Sequence, residues 1–266
     1  MNLVDLDRYP IQDLAAPRTV ELARECRERL DATGVAIIPD FIGPAALASM
    51  VAESAQLAPD THHQDLSATA YLEIPAPHWP PGHPRLAQGR SSLTAIPYDD
   101  FPSDSPLRAL YEWDGLLAFI ALALGKDRLF RYDDPLGALN VASMTDGDEL
   151  WWHFDQTDFV VSIALQSSER GGKFECASML RDADDERYDD VAAVMAGDRA
   201  ERITTVPMMP GTLMFFEGRS SLHRVTPIEG PTPRYVALLA YDTRRGTCSS
   251  ELLRLVRYGR AEAHAR

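Results

Sequence analysis

The spacing of apolar positions changes character about half-way along the chain. In the first sixty residues it follows the helical period. Leu22, Cys26 and Leu30 fall at i, i+4 and i+8, with Thr19 placed to cap that helix and Gly34 to close it. The β-branched run Gly34–Ile42 predicts a short buried strand. Gly43-Pro44 then opens a second amphipathic helix with Leu47, Met50, Val51, Ser54 and Leu57 on one face. Further on, Ser105-Pro106 joins a capping side chain to a proline at the first helical position, which predicts a helix through Leu107, Leu110 and Tyr111. Asp114 is placed to cap another, GLLAFIALALG, apolar nearly all round and therefore expected against a sheet.

From Leu139 the pattern is that of strands: LNVASM (139–144), LWWHF (150–154), FVVSIAL (159–165), KFECA (173–177), ITTV (203–206), TLMFF (212–216), LHRV (222–225) and YVALLAY (235–241). Many short strands without βαβ alternation predict an antiparallel sandwich or barrel, so the class is α+β, mainly β, with helices flanking the N-terminal side. Two stretches break the pattern. Residues 59–101 are rich in Pro and His (His62, His63, His78, His83), lack periodicity, and read as a lid or a Pro-stiffened surface connection. Residues 181–197 read as an acidic insertion carrying a short helix with Tyr188, Val191, Ala192 and Met195 inward. The expected organisation is one domain over 1–266: a mainly helical flank with the lid over 1–130, and a β-core over 131–260.

Composition narrows the function. The chain has 266 residues, enough to bury roughly 70–75% of its unfolded surface without disulfides or metal. Its 26 Lys+Arg against 40 Asp+Glu give a net charge of −14, which argues against a general nucleic-acid or membrane-surface partner. The C-terminal arginines (Arg244, Arg245, Arg254, Arg257, Arg260, Arg266) read as solvated surface. Cys26, Cys176 and Cys248 are far apart and form no CxxC pair, and MNLVDLDRYP lacks an apolar signal core; a cytoplasmic location is the expectation. No run of 18 apolar residues is present. The oligomeric state is not legible.

The strongest chemical signal is Trp152-His153-Phe154-Asp155. Residues i and i+2 of a strand share a face, so His153 and Asp155 can serve one ion, with Trp152 pointing away into core. His223, on a later strand, can complete two imidazoles and one carboxylate, a set that suits non-haem Fe(II) with open positions. Each residue alone is more often structural. Arg234 follows His223 by eleven residues and precedes YVALLAY; its place argues for burial and a carboxylate partner.

The order HxD, then P-G-T-L-x-x-F, then His, then Arg eleven residues on resembles the Fe(II)/2-oxoglutarate-dependent dioxygenases. DDPLGALNVAS, WHFDQTDFVVSIALQ, GGKFE, GRSSLHRVTPIEG and RYVALLAYDTR are further similar to the bacterial amino-acid radical halogenases and their hydroxylase relatives. The resemblance implies a double-stranded β-helix, or jelly roll. It implies iron held by His153, Asp155 and His223, O2 and 2-oxoglutarate as cosubstrates, and Arg234 on the distal carboxylate of 2-oxoglutarate. Asn140 is an even choice between a helper at the oxo-acid end and a structural hydrogen bond. Thr226 and Thr232 are alternative helpers of Arg234. The halogenases of this group carry a small residue where Asp155 stands, so the implied reaction is hydroxylation of a small molecule, an amino acid or derivative. Substrate contacts are sought at Arg90, Gln156, Asp158, Arg219 and Tyr258, with Thr157, Trp151 and Arg224 nearby. The alternatives are a carrier-bound or peptide substrate, a non-enzymatic jelly-roll binding module, and a zinc hydrolase. The last lacks HExxH and leaves Arg234 idle.

Overall fold

The computed structural model, which describes residues 2–264, gathers the strand-periodic half of the chain into one curled antiparallel sheet. Arg266, one of the C-terminal basic positions, lies outside the described residues, as do Met1 and Ala265. The helices are α1 (Pro17–Thr33), α2 (Pro44–Leu57), α3 (Pro106–Glu112), α4 (Asp114–Ala123), α5 (Tyr188–Ala196) and α6 (Glu251–Tyr258). The strands are β1 (Val35–Ile38), β2 (His63–Thr69), β3 (Gln88–Ile96), β4 (Phe130–Arg131), β5 (Leu139–Met144), β6 (Leu150–His153), β7 (Val160–Gln166) and β8 (Arg170–Gly171). They continue with β9 (Phe174–Ala177), β10 (Thr204–Val206), β11 (Leu213–Phe216), β12 (Leu222–Val225), β13 (Ile228–Glu229), β14 (Arg234–Leu239) and β15 (Tyr241–Asp242). The main sheet runs β1-β11-β7-β14-β5-β3-β6-β12-β9-β10, with β2 added alongside β3. It is the jelly-roll arrangement the strand pattern predicts.

Strand alternation sorts side chains into two apolar layers. On β11, Leu213 and Phe215 face the helices, where they join Val141, Ile163 and Ala237 with Phe119 and Ile120 of α4. Met214 and Phe216 face the interior of the curl, beside Met144, Phe174 and Val225. Both faces of the central strands are therefore covered, which explains their continuous apolar runs.

Several boundaries differ from the sequence expectation. Pro17 takes the first position of α1, and the Thr19 hydroxyl donates to the Pro10 carbonyl (2.9 Å) instead of capping the helix. Gly34 does close α1, at φ 67°, where a side chain would be strained. Ser105 caps α3 by accepting the Arg108 amide (3.2 Å). The stretch 59–101 is not all loop: β2 and the whole of β3 lie in it, paired from His63↔Thr94 to Thr69↔Gln88. These strands escaped detection because β2 is a polar edge strand with Leu66 its only large apolar side chain. The C-terminal arginines are not simply solvated. α6 turns Arg254 inward onto the buried Asp134, Arg260 just beyond the helix reaches Asp99 and Asp100, and Leu252, Leu253, Leu255 and Val256 are left exposed. An amphipathic helix with its charged face inward runs against the usual pattern. No helix among the described residues is long and apolar enough to cross a membrane.

The irregular segment between β2 and β3 is sewn to α5. Arg85 donates to Tyr188 Oη (2.9 Å), Glu73 (2.6 Å) and Glu186 (3.0 Å), and lies 4.2 Å above the Tyr71 ring. Trp79 stacks on His83 with centroids 4.1 Å apart. Arg85→Ala should cost about 2 kcal/mol of stability, since hydrogen bonds to charged groups are each worth that order. Limited proteolysis should then cut within residues 72–84 well before the wild type is cut; an unchanged cleavage rate there would show that the latch is not held by Arg85.

Candidate metal centre

Antiparallel register sets His153, the last residue of β6, directly opposite His223 of β12. Their rings lie 4.1 Å apart between centroids. In each, Nδ1 sits against the carbonyl two residues back: Trp151 O at 2.8 Å for His153, and Ser221 O at 2.9 Å for His223. A carbonyl only accepts, so Nδ1 carries the proton and Nε2 is left as a lone pair. Burial, followed by the charge of His223, pushes the His153 pKa down to about 4, which keeps that imidazole in its ligating form at neutral pH. Phe216 packs edge-on to the His223 ring at 4.8 Å, and Phe174 lies at 5.5 Å.

Asp155 enters from just beyond β6, its amide donating to the Gly218 carbonyl (3.0 Å). Oδ1 lies 3.9 Å from His153 Nε2, and Oδ2 lies 3.5 Å from His223 Nε2. All three donor atoms fall within 4.8 Å of one another, as ligands to a single ion must. Gly218 makes room for this carboxylate, because a Cβ added there would overlap Asp155 Oδ2. Two imidazole nitrogens and a carboxylate fit a divalent non-haem iron. Among the described residues the lid histidines join no such group.

Arg234 begins β14 opposite Met144 and is buried. Its nearest polar contact is Met144 Sδ at 4.0 Å, and burial pushes its pKa down to about 10. It borders a cavity of ≈ 150 Å³ lined also by Ala164, Gln166, Ser168, Phe174 and Met208. On neighbouring β7, Ser162 Oγ is likewise buried with no hydrogen-bond partner among the described residues. A buried guanidinium without an acceptor is costly to keep, and it is the group that binds a carboxylate through two parallel hydrogen bonds. The cavity therefore fits a small acid.

The other sequence-predicted residues are placed as follows. Asn140 is buried on β5. Thr226 accepts the Lys173 amide (3.0 Å) and Thr232 donates to Glu169 (3.1 Å), so both are engaged away from Arg234. Arg90, expected as a possible substrate anchor, is instead tied to Asp65 (2.9 Å) and to the Gly147 carbonyl. Arg219 pairs with Asp158 (2.6 Å) and donates to the Gln156 carbonyl, while Gln156 Nε2 donates to Tyr71 O (3.1 Å). These three make one surface cluster, in which Gln156 and Asp158 follow Asp155 in sequence and Arg219 follows Gly218. Tyr258 is buried within the inner apolar layer, and Trp152 lies in a separate core cluster with Arg224 over its ring (4.5 Å). Trp151 lies against the backbone of Gly89, where a Cβ would overlap its ring. Sequence reasoning missed Gly218, Phe174, Phe216 and Arg257 as parts of this region. Only Arg257 had a readable signal, the three-residue recurrence of Arg254, Arg257 and Arg260.

Known proteins agree with this architecture. The fold is that of the 2-oxoglutarate/Fe(II) oxygenases. It is similar to the non-haem α-ketoglutarate-dependent carbocyclase SnoK from nogalamycin biosynthesis, at 16% identity and TM-score 0.58 over 85% of this chain and 87% of that one. It is also similar to AviO1 from Streptomyces viridochromogenes Tue57 (17% identity, TM-score 0.56, 84% of this chain, 96% of that). HygX from Streptomyces hygroscopicus, solved with nickel and 2-oxoglutarate bound, matches at 14% identity and TM-score 0.52 over 82% of this chain and 86% of that. Residues 90–252, more than half of the chain, match the Halogenase D family, and the chain belongs to that family. No curated protein matches it.

Proposed function

We propose that this chain is an Fe(II)/2-oxoglutarate-dependent oxygenase that hydroxylates an unactivated C–H of a small molecule, a free amino acid or close derivative. The observation that carries this reading is the convergence of His153, Asp155 and His223 within one ion's reach, in a barrel that also holds Arg234, buried and paired with no carboxylate among the described residues. The overall reaction balances as R–H plus O2 plus 2-oxoglutarate giving R–OH, succinate and CO2. His153, Asp155 and His223 would hold the iron, which when bound supplies O2 activation and C–H oxidation coupled to decarboxylation of the keto acid. Arg234 orients the distal carboxylate of that acid. Phe174 and Phe216 shield the His223 side from water. Gln156, Asp158 and Arg219 form the adjoining surface past which substrate enters.

Family membership favours a second reading, halogenation. Asp155 weighs against it: a halide needs the coordination position that this carboxylate oxygen is placed to fill, and the negative charge repels it. The test incubates the intact chain with Fe(II), 2-oxoglutarate, O2 and a panel of amino acids, with and without chloride, following succinate and product mass. A product that has gained one oxygen atom, with succinate in equal amount, is the expected result. Replacement of hydrogen by chlorine would favour the second reading, and succinate that never exceeds the substrate-free rate would overturn the small-molecule assignment.

A further inference from the structure

Three arginines at three-residue spacing, Arg254 and Arg257 on α6 and Arg260 just beyond its end, run along this segment, and two are satisfied by carboxylates of the core. Arg254 Nε lies 3.3 Å from Asp134, and Arg260 reaches Asp99 at 2.7 Å and Asp100 at 3.1 Å. Arg257, between them, pairs with no carboxylate among the described residues. Its Nε is buried with no hydrogen-bond partner, and its Nη2 reaches only Asn140 Oδ1, at 3.5 Å. A charged donor left unpaired out of water costs free energy that a bound acceptor returns. The two flanking ion pairs fix the helix, so this guanidinium is held in place before any ligand arrives.

Its position points to the metal centre. The next residue, Tyr258, is buried in the inner apolar layer together with Phe174 and Phe216, the rings that pack on His223. Asn140 and Met144 share the inner face of β5, with Arg257 beside the first and Arg234 beside the second. Four residues of strand span about 13 Å, whereas a five-carbon diacid spans on the order of 5 Å between its carboxylate carbons. That separation favours two ligands over one.

We propose that Arg257, steadied by Asn140, is the substrate-anchoring residue, binding a carboxylate of the substrate beside the metal centre. The proposal rests on the oxygenase reading above. The metal-side carboxylate of 2-oxoglutarate has the same chemistry, so the test must separate the two sources. The intact chain and its Arg257→Ala and Arg257→Lys variants are loaded anaerobically with Fe(II) and 2-oxoglutarate. Cosubstrate affinity is read from the visible charge-transfer band. Binding of the proteinogenic amino acids and their primary amides is read from its perturbation. The same probes are followed by thermal shift on the metal-free chain.

At least one acid should bind wild type about tenfold or more tightly than its amide. Arg257→Ala should bring that acid to the level of the amide, Arg257→Lys should recover part of the difference, and 2-oxoglutarate affinity should stay within about twofold. Circular dichroism of Arg257→Lys, which keeps charge and bulk, guards against a folding defect in the alanine variant. Equal binding of acids and amides by wild type overturns the proposal. So does a loss confined to 2-oxoglutarate, which would assign Arg257 to the cosubstrate. Absence of the band in wild type would strike the oxygenase reading instead. The metal-free shifts would then decide Arg257 alone: an acid that stabilises wild type but not Arg257→Ala supports the anchor, and one that stabilises both equally removes it.

Discussion

Arg234→Met is expected to weaken 2-oxoglutarate binding by roughly two orders of magnitude, while the metal affinity of the chain stays unchanged. The guanidinium is buried, and among the described residues no carboxylate meets it. A bidentate pair with an incoming carboxylate would be formed wholly out of water, where two charge-assisted hydrogen bonds together contribute about 3 kcal/mol or more. Each 1.4 kcal/mol is about tenfold in affinity. Methionine keeps much of the volume but offers no donor. The same substitution should raise the melting temperature of the ligand-free chain, because it removes an unpaired buried charge. The two effects have opposite sign, which is the signature of a group kept for binding at the expense of stability. Anaerobic titration of the charge-transfer band measures the first effect and thermal unfolding the second. A variant that binds 2-oxoglutarate within threefold of wild type would show that this cavity holds something else.

The fold was legible because strand periodicity is local, and part of the candidate metal group was legible with it. Period two from Leu139 onward marks the strands of the barrel, and the i, i+2 rule puts His153 and Asp155 on one side. His223 stands out in the sequence only as a histidine on a later strand; that it lies opposite His153 is a matter of register between strands some seventy residues apart, which periodicity does not reveal. What stayed hidden depends on contacts between distant segments. Arg90 looked available as an anchor until β2 brought Asp65 alongside it, and β2 itself carries too little apolar alternation to be read as a strand. The C-terminal arginines looked solvated because nothing local shows that Asp134 meets Arg254 on α6, or that Asp99 and Asp100 meet Arg260 just past its end. Gly218 reads as an ordinary turn glycine; only the folded chain shows a carboxylate where its Cβ would be.

Asp155→Gly should reduce hydroxylation by about three orders of magnitude, since it removes one of three protein ligands and the only negative charge among them. The vacated position should admit chloride, so that in its presence the residual product shifts from hydroxylated to chlorinated. A variant that hydroxylates at the wild-type rate would show that Asp155 is no ligand. Gly218 provides an independent check on the same carboxylate. In Gly218→Ala the new methyl group competes with Asp155 Oδ2 for space, and the carboxylate must swing away from the two imidazoles. Iron affinity should fall by about ten- to a hundredfold although no ligand has been mutated, the size of effect expected of a group that only orients ligands. In the Asp155→Gly background the methyl group has nothing to displace, so adding Gly218→Ala should cost little more. The double-mutant cycle should therefore be strongly non-additive, measured as iron affinity by competition with a chelator. Additive losses would mean that Gly218 acts through the path of its loop and not through the carboxylate it cradles.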